Sequence, residues 1–261
     1  MPKKLDTTSR VIIIGNSPSI LLQEYGELID SYDVVIRVNK CVTEGFEKYI
    51  GKKLDIWATT RTDNYGDYVP ENYKDIKYLW LRTKKSNPEG KDPETGKKGR
   101  YLKLPKDFPK EALEKRYIMF KSQKWYSNYI PFLKPFDLRK EPCTGLLTIL
   151  TACRFYDDIT VHGFTFGIQS DNKHRLSGYY RESELIDNDS GSLVHPEDKL
   201  WLSDKNVNWG NRDEGNRKRD ILKELVENGI PKKSKKDKHG FKKAHPPIKI
   251  LNKEELEDMN L

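Results

Sequence analysis

Cysteine is scarce in this sequence, and the three present, Cys41, Cys143 and Cys153, stand at no spacing that a metal ion could use. An odd, sparse set argues against a disulfide framework and reads as reduced thiols. No apolar run approaches the roughly 18 residues of a membrane span. The opening Met1-Pro2-Lys3-Lys4-Leu5-Asp6 has no signal-peptide core. These absences predict a soluble, cytoplasmic protein. No internal repeat is visible.

Excess positive charge is also scarce once the C-terminal stretch is set aside. The net charge is +8, but residues 231–249 hold eight lysines against one aspartate, which leaves about +1 for the rest. The basic character belongs to a tail, so no nucleic-acid-binding face is expected. Pro231, Pro246 and Pro247, with few apolar residues between them, predict a flexible tail over 231–261. Its plain reading is a solvated segment. The alternative is peripheral contact with an anionic membrane, at on the order of 1 kcal/mol per basic residue near the surface. Apolar residues make up only 35% of the chain, but 14 Tyr and 5 Trp supply large surfaces to bury. At 261 residues one generous domain over 1–230 is expected, with a polar insertion near 82–108.

The informative stretch runs from Val11 to Asn39. Four branched apolar residues, Val11 to Ile14, break at Gly15-Asn16-Ser17-Pro18, the pattern of a buried parallel strand meeting a turn. Ser17 followed by Pro18 starts a helix, and Leu21, Leu22, Tyr25, Leu28 and Ile29 continue it at helical spacing. A second strand, Val34 to Val38, ends at Asn39. This is one βαβ unit, with its turn at the strand end where open α/β sheets bind ligands. Free N–H groups at such a helix start suit a phosphate. The turn is neither a three-glycine dinucleotide fingerprint nor a Gly-Lys-Ser/Thr phosphate loop, and an ordinary βα turn is the competing reading.

Further along, a short helix is expected around Thr43 to Tyr49, closed by Gly51. Strands are expected at Leu54–Thr59 and Ile76–Leu81, then a helix over Pro109–Lys121. Trp125, Tyr126, Tyr129 and Phe132 form an aromatic cluster, a core feature first and a sugar groove second. Pro142-Cys143-Thr144-Gly145 opens another helix running to Cys153. Ile159 to Val161 is a strand ending in His162-Gly163-Phe164, and Asn211–Asn228 is a polar helix stopped by Gly229 and Pro231. A doubly wound sheet would bring the two turns, at Gly15 and at Thr144, to one edge.

In order and spacing these residues resemble the sialyltransferases of glycosyltransferase family 29. The large motif of that family is similar to Gly15-Asn16-Ser17, Gly26 with Ile29-Asp30, Asp33-x-Val35-x-Arg37-x-Asn39, Gly45-Phe46, and Gly51 with Lys53. The small motif is similar to Pro142-Cys143-Thr144-Gly145 and His162-Gly163-Phe164. The resemblance implies a single Rossmann-like α/β domain, a variant of the GT-A type, with a mostly parallel sheet between helices. It implies metal-free, inverting transfer of sialic acid from CMP-sialic acid to a hydroxyl of an acceptor oligosaccharide or glycolipid, with no cofactor. Donor binding then falls to Gly15, Asn16, Ser17, Asn39, Thr144, Gly145, Gly163, Phe164 and Tyr179. Asn16-Ser17 with Asn39 would hold the phosphate, and Thr144-Gly145 the carboxylate. His195 stands where the family has its base, and a histidine suits that role because it titrates near neutrality.

The departures are specific. The family's other histidine motif appears as Gly178-Tyr179-Tyr180, with glycine in the histidine's place, and His174 is the nearest substitute for supporting the leaving phosphate. Leu200 stands where the family has Glu after the base, Glu141 precedes the small motif, and Cys143 replaces its Ser. Val11 and Tyr156 occupy the positions that secreted relatives join by a disulfide, as expected of a bacterial or viral type working in a reducing compartment. Three rivals stay open. One is a CMP-Kdo-dependent transferase of the same fold. Another is a CMP-binding relative without catalysis. The third is a metal-dependent transferase using Asp187-Asn188-Asp189.

Overall fold

Val11, Ile12, Ile13 and Ile14 are buried on both faces of a sheet, as a strand between parallel neighbours must be. The structure, a computed structural model, describes residues 8–21, 23–39, 41–60, 69–83, 104–120, 132–133, 136, 142–164, 212–231 and 244–251. Its seven strands are β1 (Arg10–Ile14), β2 (Val34–Val38), β3 (Ile56–Thr59), β4 (Tyr78–Thr83), β5 (Tyr117–Phe120), β6 (Asp158–His162) and β7 (Lys249–Ile250). They lie in the order β5-β4-β3-β2-β1-β6-β7, and every pairing is parallel. The chain adds β2 to β5 outward from one side of β1, then returns to place β6 against the other. The strand order therefore reverses between β1 and β6, at the kind of strand-end position where open α/β sheets bind ligands.

Alternate residues of each strand point to opposite faces, and the helices cover both. On one face Val11, Ile13, Ile36, Val38, Ile56 and Trp80 pack with helices α4 (Thr144–Ala152) and α5 (Arg212–Glu227), through Leu146, Leu150, Ile221 and Leu225. On the other face Ile12, Ile14 and Val35 meet Ile29 of α1 (Gly26–Asp30). Farther along it, Trp57, Leu79 and Leu81 meet Phe108 and Ala112, the latter in α3 (Lys110–Glu114). Every residue of α4 is buried, and Thr148 satisfies its hydroxyl there by donating to the Thr144 carbonyl at 2.7 Å. The expected three-layer α/β architecture is what the chain adopts.

Several local expectations fail, each because a tertiary contact outweighs a local preference. The helix expected over Pro109–Lys121 ends at Glu114, and Tyr117–Phe120 is strand β5 instead. The bonds Lys115 N–H to Glu111 O and Arg116 N–H to Leu113 O close the helix. Tyr-Ile-Met-Phe then pairs with β4, matching Trp80 to Tyr117 and Leu81 to Ile118, which favours aromatic and β-branched residues. The single helix expected from Ser17 splits into a 3₁₀ turn, Pro18–Leu21, and α1. Close approach decides the second start: a Cβ on Gly26 would lie 1.9 Å from the carbonyl oxygen of Glu47, in α2 (Glu47–Ile50).

The polar insertion is shorter than expected within the described residues. Arg82 and Thr83 belong to β4, while Phe108 is buried, with Tyr73 stacked on its ring at 5.9 Å. Phe132 belongs to the main core beside Phe136, so that aromatic is packing; Trp125, Tyr126 and Tyr129 lie outside the described residues.

A flexible tail from 231 onward is not what residues 244–251 form. Strand β7 pairs with β6, matching Thr160 to Lys249 and Val161 to Ile250. Ile230 and His245 exchange backbone hydrogen bonds of 2.9 Å, and the buried His245 ring stands 2.8 Å from the Tyr156 carbonyl oxygen. Average composition hid Ile248-Lys249-Ile250-Leu251, a short run that the open side of β6 can pair. Residues 232–243 and 252–261 lie outside the described set. No helix among the described residues is long and apolar enough to cross a membrane.

Candidate functional site

The residues around the first turn divide into those that build the scaffold and those that do not. Asp30 accepts the backbone N–H groups of Lys52 and Lys53, at 3.0 and 2.8 Å. A Cβ on Gly51, which has φ +64°, would sit 2.3 Å from that same carboxylate. Arg37, fully buried in β2, donates to the carbonyl oxygens of Lys53 (2.9 Å) and Ile50 (2.7 Å). Lys53 in turn donates to the carbonyl of Asp33 at 3.1 Å. Gly26, Asp30, Arg37, Gly51 and Lys53 thus knot α1, α2 and β2 together. Their work is structural, and it fixes where Asn39 leaves the sheet.

The rim itself is drawn tight between β1 and β6. Ile14 is level with His162 in the ladder. Gly15 N–H then donates to His162 O at 2.8 Å, and Ser17 N–H to Gly163 O at 3.2 Å. Phe164 links the two turns: a Cβ on Gly15 would lie 3.3 Å from its ring, and one on Gly145 would lie 2.9 Å from it. The first turn and the start of α4 therefore share one edge of the sheet, joined through one aromatic ring. Gly163 has φ +76°, and a Cβ there would strike Ile20 at 2.2 Å, so only glycine fits.

At α4 the first intrahelical bond runs from Leu147 N–H to Cys143 O at 2.9 Å, and no side chain caps the helix start. The N–H groups of its first turn, from Thr144 and Gly145 onward, point to the rim and favour an anion. The first turn differs. Ser17 and Gly15 direct their N–H groups at the β6 end, so those two donors are engaged within the protein.

Two asparagines stand out at this rim. Asn16 donates its Nδ2 to Val38 O at 2.7 Å, which fixes its other amide atom as the oxygen. That oxygen is buried and has no hydrogen-bond partner among the described residues. Asn39 follows Val38 directly, in the left-handed region at φ +56°. Its Oδ1 is likewise buried and without a partner among the described residues. An unpartnered buried amide oxygen is destabilising by about 1–3 kcal/mol. Asn16 follows β1 and Asn39 follows β2, its neighbour in the sheet, so two such atoms at one sheet edge make a candidate ligand position, since a ligand's hydroxyl or amino group could satisfy them.

The structure thus brings together Gly15, Asn16, Ser17, Asn39, Thr144, Gly145, Gly163 and Phe164. His195, His174 and Tyr179 lie outside the described residues, as do Asp187 and Asp189. Sequence reasoning did not find Trp57, whose Nε1 donates to the Asn39 carbonyl at 2.8 Å. Its partner is 18 positions away on another strand, so no local pattern signals it. It also left His162 without a role. That ring is buried beneath the rim, edge-on to Tyr25 at 5.7 Å.

Cys41, just past Asn39, carries a testable consequence. Burial pushes its thiol up to about 12, against a smaller opposing pull from Arg37, and burial also raises Cys153. Val11 and Tyr156, the disulfide positions of secreted relatives, are core residues here, and all three thiols are free. At pH 8 only about one Cys41 in ten thousand is thiolate. Iodoacetamide is therefore expected to modify the half-buried Cys143 alone in the folded protein, and all three cysteines after unfolding. Mass spectrometry reads the count, and labelled Cys41 in folded protein would contradict its burial.

The family profile described as glycosyltransferase family 29 (sialyltransferase) matches residues 2–202. A CMP-N-acetylneuraminate-beta-galactosamide-alpha-2,3-sialyltransferase of Mus musculus is 27% identical over 191 residues, 67% of this chain and 55% of its own. A beta-1,6-galactosyltransferase of Arabidopsis thaliana is 48% identical over 44 residues, 17% of this chain and 11% of its own. The chain spans about half the length of the sialyltransferases it matches. In fold it is similar to a mammalian sialyltransferase crystallised with Gal-beta-1-3GalNAc-ortho-nitrophenol. That likeness has TM-score 0.50 at 18% identity, and covers 87% of this chain and 72% of the other. With the greater part of its length matched by that profile, the chain belongs to glycosyltransferase family 29.

Proposed function

We propose that this protein transfers sialic acid from CMP-sialic acid to a hydroxyl of an acceptor glycan, by a single displacement with inversion and without a metal. The observation that carries the reading is the pair of buried amide oxygens of Asn16 and Asn39, without partners among the described residues, at the same sheet edge as the uncapped start of α4. The donor presents a nucleoside with hydroxyl and amino groups, a phosphate and a sugar carboxylate. The asparagines suit the nucleotide, and the N–H groups of Thr144 and Gly145 suit a carboxylate.

In the reaction the acceptor hydroxyl oxygen attacks C2 of the sugar. His195 takes the hydroxyl proton, and the bond from C2 to the phosphate oxygen breaks with its electron pair leaving on CMP. His174 stabilises that leaving phosphate, and Tyr179 with Phe164 borders the donor. The relatives named for sialyl transfer support the sugar assignment. A short match, 48% identical over 44 residues, is to a protein named for galactosyl transfer, so membership of the family does not by itself fix the sugar. CMP-Kdo, with the same carboxylate and phosphate, is therefore the competing donor.

Calorimetric titration with CMP tests the site. Asn16→Ala and Asn39→Ala are each expected to weaken binding about 10-fold, the equivalent of one hydrogen bond of about 1.4 kcal/mol. Unchanged affinity in both would remove the asparagines from the donor site. Parallel assays with CMP-sialic acid and CMP-Kdo, followed by linkage analysis of the product, separate the two donors.

A further inference from the structure

We infer that Trp57 is a positioning residue for the donor, acting through the backbone of Asn39. The inference rests on the donor-site reading above and adds to it a residue from the far face of the sheet. Asn39 lies in the left-handed region at φ +56°, which asparagine enters more readily than most residues that carry a side chain. Its N–H donates to Ala58 O at 2.8 Å, which anchors one side of the peptide. Its carbonyl oxygen receives two donors, Trp57 Nε1 at 2.8 Å and Cys41 N–H at 3.0 Å. Of the groups gripping that carbonyl, Trp57 supplies the only side chain among the described residues.

The indole is itself immobile. Trp57 is 1% exposed on β3, level with Arg37 of β2. Its ring is held in the cluster formed by Leu54, Leu79, Phe108 and Ala112, with the Phe108 ring 6.4 Å away. Indole has one polar atom, and here it is directed at the peptide that follows β2. Turning the Asn39 peptide would leave the indole N–H buried without an acceptor, so the two conformations are coupled. The packed face carrying α3 thereby holds the backbone from which the Asn39 amide projects at the sheet edge.

The test is a double-mutant cycle read by CMP affinity in the full-length protein, at a temperature well below unfolding. Trp57→Phe keeps an aromatic ring and removes the donor. A second variant with 3-benzothienylalanine at position 57 keeps the full ring size and removes only the N–H, so a packing defect in the first does not decide the outcome. Both are expected to raise the CMP Kd about 5- to 10-fold in the native background, and by less than 2-fold when Asn39 is already alanine. An unchanged Kd in the benzothienyl variant overturns the inference while leaving the donor site standing. So does an equal loss with and without Asn39. Failure of the unaltered protein to bind CMP overturns the donor site, and this inference with it.

Discussion

Alanine at position 15 is expected to lower Tm by roughly 6–12 °C and to abolish measurable CMP binding in the protein that still folds. The added Cβ would lie 2.0 Å from Gly163 O and 2.7 Å from its carbonyl carbon. Both are backbone atoms, so no side chain can rotate out of the way. Gly15 N–H also bonds His162 O, and Ser17 N–H bonds Gly163 O. Relief of the clash must therefore part β1 from β6 at the place where their two turns meet. Strain of this kind amounts to about 3 kcal/mol, which in a domain of this size corresponds to that range of Tm. Gly45 provides the control. It has φ +82° but nothing within 4 Å of an added Cβ, so Gly45→Ala is expected to be destabilising by about 1 kcal/mol and to leave CMP binding intact. Calorimetry on the three proteins checks both halves. A Gly15→Ala protein as stable as Gly45→Ala would mean that the two turns are not in contact.

Removal of the proposed base should be the most damaging change to turnover. His195→Ala is expected to reduce kcat by about 10²- to 10⁴-fold, the range for loss of a positioned general base, while CMP affinity stays within about 2-fold. The split follows from the proposed chemistry, in which the base meets the acceptor hydroxyl and the nucleotide binds at the Asn16 and Asn39 rim. Near-normal transfer in His195→Ala would strip that residue of the role. Unaltered protein that binds CMP but neither hydrolyses nor transfers any donor would favour a non-catalytic relative. Measuring CMP binding and transfer on the same preparations keeps the two results apart.

Legibility of the fold in the sequence followed the distance over which each signal acts. Val11–Ile14, the Gly15 turn and Val34–Val38 were readable because a buried parallel strand, a turn and a second strand each leave a contiguous pattern. The polar helix expected at Asn211–Asn228 is observed as Arg212–Glu227 for a like reason. Tyr117–Phe120 was misread because four apolar residues after a short helix suit either period, and only the open side of β4 decides. Ile248 to Leu251 was misread because composition was averaged over a lysine-rich stretch, while pairing with β6 needs only a few residues.

For the site, the Gly15-Asn16-Ser17 turn and the start of α4 are legible as strand-end turns, while Asn39, Gly163 and Phe164 enter through the resemblance to the family. The sequence could not say what each one does. Asp30 and Arg37 prove to be scaffold, Ser17 directs its N–H to Gly163, and Asn16 and Asn39 each keep a buried amide oxygen without a partner among the described residues. Those assignments belong to the tertiary structure, since a hydrogen bond engaged across the sheet is indistinguishable, in the chain, from one left open. The amino-acid order determined the elements and the residues that end them. The folded sheet alone decided, by setting β6 beside β1 and Trp57 against the Asn39 carbonyl, which polar atoms are satisfied and which are left without a partner among the described residues.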